Sequence, residues 1–216
     1  MNIVLRPEIE DISEEIIENR RHLHQNPELG LQEHETAKFI SEKLNNLDLE
    51  VSTGIGQTGV VALLKGGDGP CIGLRADMDA LPIQETSDVT YKSINDGVMH
   101  ACGHDGHVAM LLGAAKVLSD KRDQIKGTVK FIFQPAEEGL GGARYMIEDG
   151  VLEIPKVDEV YGIHLWNYQP FGTVGVQPGP VLAAADEFII TVKGKGGHGA
   201  TPHGTVDAVV VAAYLV

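Results

Sequence analysis

Short apolar runs alternate with longer amphipathic segments along most of this chain, and this alternation restricts its fold more than any other feature. Four runs have the length and composition of buried strands: 60–64, 71–76, 127–133 and 157–164. Segments with helical spacing lie before and between them, at 8–25, 33–47, 105–119 and 142–148. Strands that alternate with helices predict an α/β fold, a three-layer sandwich around a mixed, largely parallel sheet.

The pattern changes near Val181. Residues 187–193 (EFIITVK) alternate like a half-exposed strand, a glycine-rich loop follows, and 207–216 begins as an apolar helix. We therefore expect one domain at 1–181 and the beginning of a second, smaller one at 182–216. Because a chain rarely stops inside an apolar helix, we also expect the sequence to be a fragment of a longer protein.

Composition excludes several classes of partner. The formal net charge of -14 argues against nucleic acid and anionic membranes, which require basic surfaces. Apolar runs stay short of membrane-spanning length, and the N-terminal sequence does not have the pattern of a signal peptide. The two cysteines, Cys71 and Cys102, stand in different contexts and do not form a disulfide framework. We expect a cytoplasmic protein with reduced thiols.

The densest chemical cluster in the sequence is HACGHDGH, at the entry to the predicted helix 105–119. It places His100, Cys102, His104, Asp105 and His107 within eight residues. Thiolate and imidazole are the ligands that borderline-soft divalent metals prefer, and a Cys-x-His spacing beside glycine lets both side chains reach one centre. A histidine-rich helix start without a ligand role is the alternative, and the density of the cluster favours a metal site.

Two further elements follow predicted strands. Glu137 and Glu138 come just after the strand that ends at Phe133, and His164 ends the strand at 157–164. Ligands collect outside the carboxyl ends of strands in parallel α/β sheets. Adjacent glutamates are usually a solvated surface, and a strand-end histidine can be a satisfied core residue. The three elements together are much stronger evidence than any one of them.

In order and spacing, these segments resemble the metallo-amidohydrolases, a family that includes hippurate hydrolase, bacterial N-acyl-amino-acid deacylases, thermostable carboxypeptidase and plant auxin-conjugate hydrolases. The matching segments are RRHLHQNPELGLQEHET, HACGHDGHVAMLLGAA, FIFQPAEEG, YGIHLWN and GKGGHGATPHGTVDAV. The resemblance implies a zinc-exopeptidase-like fold, with a lid or dimerisation domain beginning at 182. It implies two divalent metal ions (Mn, Zn, Ni or Co), Glu137 as catalytic base, and the ligands Cys102, His104, Glu138 and His164.

The resemblance also implies an activity, the hydrolysis of the amide bond of N-acyl amino acids such as hippurate-like or N-acetyl compounds. It implies that His198 reaches the site of a neighbouring subunit in a homodimer or higher oligomer and there helps to hold the oxyanion. A further histidine ligand would lie near the far C-terminus of the family's chain, beyond this sequence. Three alternatives stay open: a non-catalytic metal-binding fragment, a carboxypeptidase acting on short peptides, and a Cys102 nucleophile. For His198 the alternative is a loop histidine without a role.

One position departs from more distant relatives. Arg75 stands where they bring a metal-binding histidine, two residues before Asp77. Since an arginine cannot bind a cation, Cys102 supplies the missing donor in this interpretation. Asp77 either orients the site from outside the ligand set or caps a turn. Trp166 and Tyr168, just past His164, either shape a pocket or only pack.

Overall fold

The computed structural model describes residues 5–184, 186 and 188–216. The chain divides after Gly175 into two compact units. The assignment of a catalytic domain up to 181 and a lid or dimerisation domain from 182 stays a prediction.

The first unit carries five helices and five strands among its described residues. The helices are α1 (Pro7–Glu10), α2 (Ser13–Gln25), α3 (His34–Asn45), α4 (His104–Ser119) and α5 (Gly142–Glu148). The strands are β1 (Glu50–Ile55), β2 (Gly59–Lys65), β3 (Cys71–Asp77), β4 (Thr128–Gln134) and β5 (Glu159–Gly162). A short 3-10 turn, Arg122–Gln124, joins α4 to β4.

The five strands form one mixed sheet in the order β1-β2-β4-β3-β5. Strand β3 pairs in parallel with β4 and β5, whereas β2 pairs antiparallel with β1 and β4. The predicted α/β fold is confirmed. The sheet is less parallel than predicted, because β2 runs opposite to β4 and because β1, which was not predicted, forms an antiparallel hairpin with β2. Its sequence, EVSTGI, is mostly exposed and therefore gives no buried-strand signal.

Helices cover both faces of the sheet and make three layers. The larger core lies between the sheet and helices α2, α3 and α4, and includes Phe131 and Phe133 of β4. The alternate residue, Ile132, points to the opposite face and packs against Met146 of α5. This alternation follows from the two-residue period of a strand.

The single helix predicted over 8–25 is two helices, with a break at Asp11 and Ile12. Ile12 leaves the helical region at φ -109°, ψ 5° and buries its side chain. Beyond the break, Ile16 packs so closely on Gly113 of α4 that a Cβ there would lie 2.8 Å from Ile16 Cδ1. The chain bends at Ile12 because packing against α4 outweighs a continuous helical path.

Parallel pairing brings three strand ends together at one edge of the sheet. Asp77 at the end of β3 is in register with Gln134 at the end of β4, and Arg75 is in register with Gly162 at the end of β5. Polar residues that follow these strands therefore meet at this edge.

The second unit has little regular structure among its described residues. A 3-10 turn spans Pro202–Gly204, and a short helix, α6, spans Ala208–Ala213. Asp207 caps α6, because its Oδ1 accepts the N–H of Val209 at 2.9 Å and that of Val210 at 3.3 Å. The strand predicted at 187–193 is absent from 188–193, and Glu187 lies outside the described residues. A strand needs a hydrogen-bonded neighbour, and the described part of this unit provides none there.

Membrane insertion through a helix finds no support in this fold. Within 5–184, 186 and 188–216, every helix falls short of the length and hydrophobicity needed to cross a bilayer.

Candidate metal centre

Metal-ligating side chains from three loops converge beyond the carboxyl ends of β3, β4 and β5. Ligand atoms of Cys102, His104 and His164 lie within 4.8 Å of one another, and the same holds for His104, Glu137 and Glu138. The structure therefore brings together all four residues implied as ligands and the implied base. His104 belongs to both groups and lies at the centre of the cluster.

His104 opens α4, directly after Gly103, whose φ of 93° favours glycine. Its Nδ1 lies 2.9 Å from the carbonyl oxygen of Asp79 and 3.1 Å from Asp79 Oδ1. Both partners are acceptors, so Nδ1 carries a proton, and Nε2 is the ring atom available to a cation. Burial lowers the pKa of His104, but the hydrogen bond to Asp79 and the surrounding carboxylates outweigh it and raise that pKa, so a cation at Nε2 would take the place of a proton. His104 Nε2 and Glu138 Oε1 lie 3.9 Å apart, and both are buried without a hydrogen-bond partner. Two buried polar atoms that face each other at a distance too long for a hydrogen bond fit a bound divalent cation.

Cys102 and His164 supply the second pair of ligand atoms. His164 donates from Nδ1 to its neighbour's carbonyl, Leu165 O, at 2.6 Å, so its Nε2 faces Cys102 Sγ at 3.4 Å. Burial and the neighbouring carboxylate of Glu138 raise the pKa of the Cys102 thiol to about 12. A cation beside the sulfur would reverse that effect and favour the thiolate. Thiolate, imidazole and carboxylate together suit a zinc-like ion.

Asp79 supports both His104 and the turn that carries Glu138. Its Oδ1 binds the imidazole, and its Oδ2 accepts the Glu138 N–H at 3.0 Å. Burial raises the pKa of Asp79, but the hydrogen bonds from His104 and from the backbone of Glu138 and Glu137 outweigh it and lower that pKa. Asp79 was not predicted from the sequence to have a role. Its position two residues after Asp77, at the end of a strand, is the signal that could have identified it.

Asp77 ends β3 and is engaged on both oxygens. Its Oδ1 accepts from His107 Nδ1 at 2.5 Å, and its Oδ2 accepts from Arg75 Nη1 at 2.6 Å. Burial opposes ionisation, but the hydrogen bond from His107 and the charges of His104 and Arg75 hold the pKa of Asp77 well below its usual range. These contacts favour the interpretation that Asp77 orients the site from outside the ligand set.

His107 was part of the predicted histidine cluster without a separate role. Its Nδ1 donates to Asp77, and its Nε2 accepts the Leu165 N–H at 2.9 Å. Although it lies within 4.8 Å of His104 and Asp77, both of its ring nitrogens are engaged. His107 therefore anchors the segment that carries His164 and does not offer a free ligand atom.

Glu137 is the most exposed residue of the cluster. Its side chain is 43% exposed against 26% for Glu138, and its Oε2 lies 4.0 Å from His104 Nε2. Burial, followed by the charges of Glu138 and Asp77, raises the pKa of Glu137. A carboxylate beside the ligand atoms, open to solvent and more basic than usual, is suited to proton transfer.

A second buried polar network adjoins α4. Asp105 Oδ2 accepts from His24 Nδ1 at 2.7 Å and from Arg20 Nε at 2.9 Å, and His24 Nε2 lies 3.2 Å from Glu85 Oε1. The hydrogen bond that His24 donates to Asp105 raises the pKa of His24 despite its burial. His100 is also buried, with both ring nitrogens unpartnered among the described residues, and burial lowers its pKa to about 4. His100 is therefore a neutral imidazole near neutral pH.

The remaining predicted residues lie on the surface. His198 is exposed in the second unit, where its Nδ1 accepts the Ala200 N–H at 3.2 Å. Its role in a neighbouring subunit stays a prediction. In the first unit, the ring of Trp166 is edge-on to that of His164, with centroids 5.8 Å apart, and Tyr168 follows at 6.1 Å from Trp166. Both aromatic side chains are exposed beside the candidate centre.

The fold and the cluster define a metal-binding α/β protein, and comparison with known proteins identifies its family. Residues 73–214 match the model described as peptidase family M20/M25/M40. The chain belongs to this family.

Individual relatives agree with that assignment. The chain is 50% identical over 211 residues to thermostable carboxypeptidase 2 of Saccharolobus solfataricus, covering 96% of this chain and 53% of that protein. It is 49% identical over 211 residues to an N-acyl-L-amino acid amidohydrolase of Geobacillus stearothermophilus, covering 96% and 56%. The chain thus spans about half the length of the curated relatives it matches.

A solved structure supports the fold and the family. It is the Bacillus subtilis YXEP protein, described as a dinuclear metal-binding peptidase of the M20 family. The two superpose with a TM-score of 0.75 at 47% identity, covering 79% of this chain and 48% of that one.

Proposed function

We propose that the protein hydrolyses the amide bond of N-acyl amino acids at a centre of two divalent ions, either Mn, Zn, Ni or Co. The observation that carries this proposal is the pair of buried, unpartnered atoms His104 Nε2 and Glu138 Oε1, 3.9 Å apart, with Cys102, His164 and Glu137 around them. Bound there, the ions would polarise the scissile carbonyl and make a nearby water more acidic.

Glu137 is the general base in this proposal. Its carboxylate takes a proton from the attacking water and passes it to the amide nitrogen, which cannot leave as an anion. His104, Cys102, Glu138 and His164 would hold the ions. His198 of a neighbouring subunit donates a hydrogen bond to the developing oxyanion, which makes a homodimer or higher homo-oligomer the working form.

A second candidate is cleavage of short peptides from the carboxyl end. It draws support from the 50% identity to a relative named thermostable carboxypeptidase 2. The same residues would serve, because both reactions attack an amide carbonyl next to an amino acid. Comparing hippurate and N-acetyl amino acids with short peptides separates the two activities.

A thiol mechanism is the less favoured reading. With a pKa of about 12 in the absence of a cation, Cys102 stays protonated near neutral pH, whereas a catalytic cysteine needs a lowered pKa. EDTA treatment distinguishes them, since a thiol hydrolase survives chelation and a metal-dependent one does not. If the protein hydrolyses no substrate with Mn, Zn, Ni or Co, the alternative of a non-catalytic metal-binding fragment would remain.

The base assignment has its own test. Glu137→Gln should lower kcat about a hundredfold or more while metal content stays near that of the unchanged protein, because a general base contributes on that scale. Glu138→Ala is the matched variant, and it should lose metal. Equal metal loss in both variants would remove Glu137 from the role of base.

Partners and location remain part of the proposal. We propose a small N-acyl amino acid as substrate, a cytoplasmic location, and no nucleic-acid or membrane partner, in keeping with the net charge of -14. Activity of cell fractions and gel filtration of the protein test location and assembly.

A further inference from the structure

Glu33 is buried, far from the ligands in sequence, and has no part in the proposed reaction. It directly precedes α3, and its side chain is fully inaccessible to solvent. Its Oε2 accepts from Thr58 Oγ1 at 2.6 Å, and its Oε1 accepts the Ala136 N–H at 2.8 Å. One carboxylate thus joins the start of α3, the β1–β2 turn and the turn that follows β4.

The turn after β4 needs such support. Ala136 has a φ of 50°, which is in the left-handed region and unfavourable for a residue with a side chain. Glu137 and Glu138 follow it immediately, so the conformation at Ala136 sets the direction in which both carboxylates leave the turn.

The surroundings fix the turn from several sides. The Gly142 N–H donates to Ala136 O at 3.0 Å, and a Cβ at Gly142 would lie 1.8 Å from Pro135 O. Asp79 holds the Glu138 N–H. Glu33 is the described partner of the Ala136 amide.

We propose that Glu33, supported by Thr58, is a positioning residue that holds Ala136 in its left-handed conformation and thereby aims Glu137 at the reacting water. The inference rests on the proposed function for the role of Glu137, but the hydrogen bond to Ala136 can be tested without turnover. The described hydrogen-bond partners of the Glu33 side chain are Thr58 Oγ1 and the Ala136 N–H, so in this proposal it acts through the backbone.

The test compares two isosteric replacements. In Glu33→Gln, the side-chain carbonyl oxygen can still accept the Ala136 N–H. The side-chain NH2 group then faces Thr58 Oγ1, which can act as its acceptor. Glu33→Met fills the same volume without an acceptor. Lys130→Met is the control for loss of a buried polar group, because Lys130 donates to Val151 O, Ile154 O and Pro155 O and not to the turn.

The measurements are amide hydrogen exchange at Ala136 by NMR, metal content, and kcat and KM. Glu33→Met should accelerate exchange at Ala136 about tenfold or more, because an opened hydrogen bond removes protection. It should lower kcat about ten- to hundredfold with little change in KM or metal content, since a small displacement of a reacting group costs on that scale. In Glu33→Gln, the exchange rate at Ala136 and kcat should both stay within about threefold of the values for the unchanged protein.

Several outcomes would overturn the inference. Unchanged exchange in Glu33→Met removes the role of the hydrogen bond, and unchanged kcat with faster exchange removes the positioning of Glu137. Equal effects from Lys130→Met would reduce Glu33 to a general contribution to stability. If the unchanged protein shows no hydrolysis, the proposed function fails, and so does the proposal that Glu33 positions Glu137 for catalysis. Amide exchange at Ala136 would still decide whether Glu33 holds the turn.

Discussion

The two pairs of candidate ligands are held in different ways. The inner pair, His104 and Glu138, has buried ligand atoms, and both residues depend on one carboxylate, that of Asp79. The outer pair, Cys102 and His164, is half-buried, and each member has the other as its neighbour at 3.4 Å. The ring of His164 is fixed mainly by contacts of the adjacent residue.

This difference indicates which pair is organised before a metal arrives. The inner pair sits on the first turn of α4 and on a turn whose amides are engaged by buried acids, so its geometry is part of the fold. In the outer pair, His164 depends on a segment that follows the edge strand β5 and is anchored through His107, whereas Cys102 lies in the loop before α4. We therefore expect changes to the support of the inner pair to have larger effects.

Asp79→Asn should give the largest effect. An amide in place of the carboxylate directs N–H groups at one of its two donor partners, His104 Nδ1 or the Glu138 N–H, so the ligand on that side loses its hydrogen bond and its alignment. We expect Zn²⁺ affinity to fall about a hundredfold, which is the upper end of the losses seen when a residue that hydrogen-bonds to metal ligands is replaced. Competition with a chromogenic chelator measures it. An affinity within threefold of the unchanged chain would contradict the claim that the inner pair is pre-organised by Asp79.

His107→Leu should give a smaller effect on the same assay. It removes the acceptor of the Leu165 N–H and the donor to Asp77, which keeps its contact with Arg75. We expect about a tenfold loss of Zn²⁺ affinity, since only the position of His164 is loosened. A loss greater than that of Asp79→Asn would reverse the order of the two pairs.

His24→Gln should give the smallest effect, and one that depends on pH. Both nitrogens of His24 face carboxylates, Asp105 and Glu85, with Arg20 alongside, and its pKa in the folded chain is raised. Its stabilisation is therefore fully present below the unfolded pKa of about 6.5 and is lost as pH rises through the higher folded pKa.

The variant should lower the free energy of unfolding by about 1 kcal/mol at pH 6 and by less at pH 9. Urea denaturation at the two pH values, with metal removed from both proteins, measures the difference. A larger cost at pH 9 than at pH 6 would show that His24 is not a protonated donor in the folded chain.

Local sequence patterns were enough to predict most of the fold. The strands β2, β3 and β4 are mostly apolar and were predicted from that composition. Helix α5 was predicted with its observed bounds. Strand β1 was missed because its side chains face solvent. The break at Ile12 was missed because only packing on α4 reveals it.

The candidate ligands could be predicted from the sequence, but the residues that hold them in place through hydrogen bonds could not. Cys102, His104 and Glu138 carry chemistry that sequence spacing can bring to one edge. Asp79 and Glu33 are acids in ordinary-looking segments, and their roles depend on contacts with residues 25 and 103 positions away, His104 and Ala136. Contacts of that range are set by the assembled sheet.

The close fit between Gly142 and the turn after β4 limits the sequences that can build this site. A Cβ at position 142 would lie 1.8 Å from a backbone oxygen, which no rotamer change can relieve. Selection for activity would therefore constrain Gly142, which has no functional group, as strictly as it constrains a metal ligand. Solvent-exposed positions of β1, such as Ser52, can change at little cost, whereas any residue larger than glycine at position 142 would collide with the backbone of the turn.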